Sequence, residues 1–177
     1  MSRVAQLHKE SSPASAGVYV LTCSTSKFKQ LQQDQQPDDV SGDVIQRLAA
    51  DAGHKVAGRK LIADSRTMIR KALRNALANS KVDVLIVTGG TGISRTDLTF
   101  ETVSPLLERE LPGFGEIFRR ISYDEIGSPA MMSRAFAGTI KGKAVFCLPG
   151  SPNGVKVAME KLILPELGHI IGLSRSN

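Results

Sequence analysis

The chain has no tryptophan, and aromatic residues make up only 5% of its 177 residues. That scarcity excludes a platform of stacking aromatics for single-stranded nucleic acid. Cysteine is almost as rare: Cys23 and Cys147 stand far apart with no CxxC or Cys/His spacing, so neither a zinc site nor a disulfide framework is expected. The histidines, His8, His54 and His169, also lack ligand spacing and read as surface or local structural residues. No stretch approaches the roughly eighteen consecutive apolar residues of a membrane span. The N-terminus, MSRVAQLHKESSPAS, has no apolar core of the secretory-signal type, so a cytoplasmic protein is expected. Familiar catalytic and nucleotide signatures are missing too. GxSxG is absent, no local Ser/His/Asp or Cys/His arrangement occurs, and Gly138-Thr139-Ile140-Lys141-Gly142-Lys143 is one residue too short for a GxxxxGK[ST] loop.

What the chain does have is the composition of a folded protein, with 41% hydrophobic and 23% charged residues, in a length suited to one domain. The net charge of +6 is scattered along the sequence. It reads as a mildly basic surface, or as a basic pocket for an anionic metabolite, and no nucleic-acid partner is expected. Residues 1–15 read as a flexible arm ahead of a domain covering 16–177. The glutamine-rich stretch from Lys29 to Asp38 reads as a mobile loop.

Apolar runs alternate with helical periodicity. Strands are expected at Gly17 to Thr22, Lys55 to Ala63, Val82 to Val87 and Ala144 to Leu148. Helices are expected after Ser41 as N-cap and Gly53 as stop, after Asp64 or Ser65, and over Phe100 to Glu110 with Val103, Leu106 and Leu107 inward. Pro112-Gly113 reads as a break, followed by helical stretches at Phe114 to Ile126, Pro129 to Phe136 and Val155 to Leu164, with no element assigned to Pro165 to Leu173. This order predicts an α/β fold: a three-layer α/β/α single domain with a mostly parallel sheet joined by right-handed crossovers. Ligands of such sheets sit outside the carboxyl ends of strands. Three expected strands end in polar or glycine-rich sequence, at Thr22 to Ser26, Gly89 to Asp97 and Pro149 to Asn153, and these ends are placed to share one pocket.

The central motif is Thr88-Gly89-Gly90-Thr91-Gly92-Ile93-Ser94-Arg95-Thr96-Asp97-Leu98-Thr99-Phe100-Glu101. Glycines at a strand end let backbone N–H groups approach an anion. Hydroxyls such as Ser94 and Thr99 bind phosphate oxygens, and the Asp97 and Glu101 carboxylates can hold Mg²⁺ against them. It is not a dinucleotide fingerprint, because Arg95 stands where the third glycine belongs. Simpler readings exist: a tight turn for the glycines, an N-cap for Asp97, a dipole-favoured first-turn residue for Glu101, and a strand-to-helix turn for Pro149 to Asn153. Met131 and Met132 read as core or interface filler, and Phe114, Ile117 and Phe118 by default as core.

Several segments together carry a family resemblance: Asp39-Val40-Ser41-Gly42, Gly53-His54, Asp64, the GGTG loop with Asp97, Thr99 and Glu101, Pro112-Gly113-Phe114-Gly115-Glu116, Ser133-Arg134-Ala135, and Pro149-Gly150-Ser151-Pro152-Asn153. In this order, over about residues 16–170, the chain resembles the MoaB/MogA family of molybdenum-cofactor biosynthesis. The PGFGE-F-R run, Ser122-Tyr123-x-Glu125-Ile126-Gly127 and Pro165-Glu166-Leu167-x-His169 place it nearer the B branch. The resemblance implies a molybdopterin-binding domain that adenylylates molybdopterin with ATP and Mg²⁺, releasing pyrophosphate. It implies catalytic and Mg²⁺-organising roles for Asp64 and Asp97. A nucleotide and pterin site would be lined by Gly89, Gly90, Thr91, Gly92, Ser94, Arg95, Thr99, Glu101, Ser133, Pro149, Gly150, Ser151, Pro152 and Asn153, with Ser24, Asp39, Ser41 and Gly42 alongside. A homo-oligomer, trimer or hexamer, is also implied. One position departs from the pattern: family members commonly place Arg directly before the catalytic Asp, and here Thr96 fills that slot with Arg95 one residue earlier. A non-catalytic molybdopterin-binding or assembly protein is the alternative this departure raises.

Overall fold

The computed structural model describes residues 13–175. Most of the expected N-terminal arm, residues 1–12, lies outside them. The chain runs β1 (Gly17–Cys23), α1 (Thr25–Gln32), α2 (Val40–Asp51), β2 (Lys55–Ile62), α3 (Arg66–Ala78), β3 (Val84–Thr88), α4 (Thr99–Val103), β4 (Arg109–Glu110), α5 (Pro112–Ile126), β5 (Phe136–Ile140), β6 (Lys143–Leu148), α6 (Pro152–Ala158) and α7 (Leu164–Arg175). Short 3₁₀ segments at Ser104–Leu106 and Ser128–Met132, and a π-helical turn at Met159–Ile163, complete the elements.

One sheet with strand order β2-β1-β3-β6-β5-β4 organises the molecule. β2, β1, β3 and β6 are parallel, whereas β5 and β4 are antiparallel to their neighbours. Period-two alternation explains the layers. In β3, Val84 and Ile86 pack towards Ile45 of α2, Val155 of α6 and Leu167 of α7, while Leu85 and Val87 pack towards Ile69 and Leu73 of α3. β6 divides in the same way, Phe146 and Leu148 to the first face and Val145 and Cys147 to the second. Covered on both sides, these strands read in sequence as continuous apolar runs. The result is the three-layer α/β/α domain with a mostly parallel sheet.

Several local expectations are corrected. The glutamine-rich stretch is not all loop, because α1 continues to Gln32; Ser24 caps it and its residues are mostly good helix formers. Asp39, not Ser41, is the N-cap of α2 and accepts the Gly42 N–H at 3.2 Å. Gly53, at φ +82, ends α2 as expected, with the His54 N–H reaching back to the Ala49 carbonyl at 2.9 Å. The helix expected over Phe100 to Glu110 stops at Val103: Pro105 supplies no N–H to an α ladder, a 3₁₀ turn follows, and Arg109–Glu110 forms an edge strand. Leu106 is consequently exposed.

Pro112 opens α5 rather than breaking a helix, since a first-turn proline loses no bond. The helix expected over Pro129 to Phe136 is a 3₁₀ turn followed by β5, and Met131 and Met132 are exposed, not core. Ile117 is exposed as well, while Phe118 is buried. The stretch once compared with a phosphate loop is the β5–β6 hairpin. Lys141 and Gly142, at φ +51 and +68, form its two-residue turn.

Candidate functional site

The order β2-β1-β3 places a switch point between β1 and β3, where connections leave to opposite sides. A cavity of about 680 Å³ opens there. Its wall is built from the carboxyl ends of β1, β3 and β6: residues 22–27, 88–92 and 149–151, joined by Asp39, Ser41, Asp64, Thr96, Asp97 and Ser133.

The glycine turn forms the floor between the strands. Gly89 and Gly90 take φ +95 and +66, values that strain a residue with a side chain. A Cβ on Gly89 would also stand 2.2 Å from the Cys23 carbonyl oxygen, so the turn sits tightly against β1. From the far side, the Thr99 hydroxyl donates to the Gly89 carbonyl at 2.8 Å and the Thr99 N–H donates to the Gly90 carbonyl at 3.0 Å. The β6 loop is fixed by two more hydroxyls: Thr88 donates to the Pro149 carbonyl at 2.8 Å, and Ser41 donates to the Gly150 carbonyl at 2.7 Å.

Two carboxylates flank the turn. Asp64 accepts the Thr25 N–H at 2.8 Å and the Thr25 hydroxyl at 3.0 Å, and its Oδ1 stands 2.9 Å from where a Gly90 Cβ would be. Asp97 accepts the Ser94 N–H at 2.8 Å, and its Oδ2 stands 2.7 Å from the corresponding point on Gly92. Asp97 closes a local turn and does not cap α4, whose N-terminus has no side-chain cap. A third carboxylate, Asp39, is buried; it accepts the Thr22 hydroxyl at 2.7 Å and Arg59 Nη2 at 2.6 Å. Arg59 neutralises it.

Not every residue expected in the site lines this cavity. Thr99 braces the floor from behind, and Gly42 packs against Asp39 and Arg59. Glu101 pairs with Arg134, which holds its carboxyl below the ordinary value, and is not in the cavity lining. Ser94 shares a 3.0 Å hydroxyl contact with Thr96, and Arg95 is exposed. Pro152 begins α6, and the Asn153 amide donates to Glu125 at 2.9 Å. The structure adds Thr22, Cys23, Thr25, Ser26, Lys27, Thr88 and Thr96 to the lining. The hydroxyls were visible as a polar strand end; Lys27 had no signal of its own.

Cys23 is no nucleophile here. Burial, aided by the Asp64 charge and opposed by a bond with Thr99, pushes its thiol up to about 12. The lining therefore offers hydroxyls, amides, carboxylates and the Lys27 ammonium. No group of three or more His, Cys, Asp or Glu side chains that could hold a metal occurs among the described residues. An oxygen-only pair fits Mg²⁺, which commonly takes one or two carboxylates and completes its shell with water and substrate phosphate.

A doubly covered parallel sheet with a polar cavity at its switch point defines a ligand-binding α/β protein of the three-layer class. The family described as "Probable molybdopterin binding domain" matches residues 19–169. "Molybdenum cofactor biosynthesis protein B" of Bacillus cereus is 44% identical over 164 residues, covering 92% of this chain and 93% of that protein. Its Bacillus subtilis namesake is 40% identical over 167 residues, covering 94% of each. The crystal structure of the tungsten cofactor synthesizing protein MoaB from Pyrococcus furiosus superposes with a TM-score of 0.83 at 36% identity, covering 93% of this chain and 99% of that one. The chain belongs to the molybdopterin-binding family of molybdenum cofactor biosynthesis proteins, on its MoaB side.

Proposed function

We propose that this protein adenylylates molybdopterin. An oxygen of molybdopterin's terminal phosphate attacks the α-phosphorus of ATP, the bond from that phosphorus to the bridging oxygen of the β-phosphate breaks, and pyrophosphate leaves with the bond pair. The observation that carries the reading is that Asp64 and Asp97 line one cavity, each beside a glycine of the same turn. Phosphoryl chemistry of this kind needs little covalent help from the protein; positioning and charge compensation supply most of it.

In this reading, the Gly90, Thr91 and Gly92 amides and the Ser26 and Thr91 hydroxyls hold phosphate oxygens. Asp64 is preorganised by Thr25 and Asp97 by Ser94. Asp64 and Asp97 are the residues that would hold Mg²⁺, which would offset phosphate charge. The Pro149–Ser151 loop, fixed by Ser41 and Thr88, and Ser133 would shape the pterin side. The domain is proposed to cover residues 16–177. No helix among the described residues is long and apolar enough to cross a membrane. A homo-oligomer, trimer or hexamer, is part of this reading, with the exposed Ile117, Met131 and Met132 as candidate interface residues, and a native mass measurement tests the oligomer.

Purified protein supplied with molybdopterin, ATP and Mg²⁺ is expected to release pyrophosphate; absence of release overturns the reading. One observation favours a second reading, a non-catalytic molybdopterin binder. Thr96, at the position where the family resemblance implies arginine, lines the cavity, and Arg95 is not in its lining. Activity appearing only in Thr96→Arg would support the binder.

A further inference from the structure

The cavity that is to receive two polyanions carries more negative than positive side chains. Asp39, Asp64 and Asp97 line it. Arg59 compensates Asp39, but the bonds described for Asp64 and Asp97 come from neutral donors, Thr25 and Ser94. Two nearby arginines are directed elsewhere: Arg134 faces Glu101 and the Gly92 carbonyl, and Arg119 approaches the Ser133 and Ala135 carbonyls. Among the described residues lining the cavity, the single cation is Lys27.

Its position is unusual for a lysine. Lys27 is the third residue of α1, and that helix has no acidic residue in its first turn. The positive end of a helix dipole disfavours a cation there. A bound anion at the same place reverses the balance, since helix amides and ammonium then act on one charge. The ammonium donates to the Asp38 carbonyl, next to the N-cap of α2, which holds it between β1's polar end and α2. That bond uses one of its three N–H donors.

We propose that Lys27 is the phosphate-contacting cation of this cavity, acting on a ligand phosphate in addition to any divalent ion between Asp64 and Asp97. The inference rests on the reading of the cavity as a phosphate-ligand site. It assigns charge compensation to the β1–α1 wall, opposite in sequence to the Thr96 position on the glycine-loop wall.

Calorimetric binding of Mg·ATP, Mg·pyrophosphate and molybdopterin to the full chain tests it. Lys27→Met is expected to weaken at least one of these ligands by about ten- to a hundredfold, the size of a charge-assisted bond. Loss confined to ATP and pyrophosphate puts the contact on the nucleotide phosphates; loss confined to molybdopterin puts it on the pterin's phosphate. Lys27→Arg should retain most of the affinity, and Lys29→Met, outside the lining, all of it. Adding Thr96→Arg to Lys27→Met should restore part by returning a cation to the cavity. Lys27→Gln separates charge from hydrogen bonding, because glutamine keeps a side-chain N–H donor without the charge. Parental affinity in Lys27→Gln or Lys27→Met overturns the proposal, as does a parent protein that binds none of the ligands. A parent that binds, is weakened by Lys27→Met, but releases no pyrophosphate upholds the contact and removes adenylyl transfer. Intact release with unchanged Lys27→Met affinity does the reverse.

Discussion

The Thr99 hydroxyl donates to the Gly89 carbonyl at 2.8 Å, so the first turn of α4 holds the glycine turn that ends β3. Thr99 is fully buried, and water cannot replace the bond if it is lost. Thr99→Val keeps the shape and orphans the carbonyl. Chemical denaturation is expected to show a loss of about 1–3 kcal/mol. Stability equal to the parent's would show that the turn does not depend on this bond.

Asp97 bears on the proposed reaction more than on the fold. Among the described residues its carboxylate is held only by the local Ser94 N–H at 2.8 Å, and the residue is partly exposed. Asp97→Ala is therefore expected to lower pyrophosphate release about a hundredfold or more while molybdopterin still binds. Equal loss of binding and release would make Asp97 a general ligand contact instead.

The two thiols give an alkaline signature. Burial raises both, Cys23 to about 12 and Cys147 well above 9.0. Between pH 9 and the folded values, the unfolded chain releases thiol protons that the folded chain keeps. The folded state then binds more protons, so stability falls as pH rises, by at most about 1.4 kcal/mol per pH unit for each thiol. Below that window the contribution is fully present. Denaturant unfolding from pH 8 to 10.5 should show a shallower decline in the Cys23→Ala/Cys147→Ala variant; identical slopes would contradict it.

At the hairpin, Lys141 occupies left-handed backbone at φ +51, ahead of Gly142. Asparagine tolerates that conformation better than lysine and gives the favoured Asn-Gly turn. The Lys141→Asn variant should melt higher, by an amount corresponding to about 0.5–1 kcal/mol. The backbone N–H bond to Glu108 at 2.9 Å survives the change.

How much of this was readable in the amino-acid order varies across the sheet. β3 and β6 are covered on both faces, so their apolar runs announce them, and a glycine turn or proline loop at each carboxyl end marks the cavity. β4 has two residues and β5 shares its neighbourhood with helix-like spacing, so pattern alone concealed the antiparallel edge. The hairpin was hidden because lysine stands where asparagine usually signals such a turn. Asp64 was legible only beside its relatives, since an aspartate before a helix is commonly a cap. Its actual partner, Thr25, is 39 positions away. Lys27 depends on α1 forming and turning towards α2, which no local spacing encodes.

The Lys141–Gly142 turn lies at the start of β6, and the cavity lies past its other end at Pro149. Six strand residues, Lys143–Leu148, separate them, or roughly 20 Å at about 3.3 Å per residue. A dye, an affinity handle or a surface tether grafted into that turn would stand clear of incoming ligands, so immobilised protein should present its binding face outward.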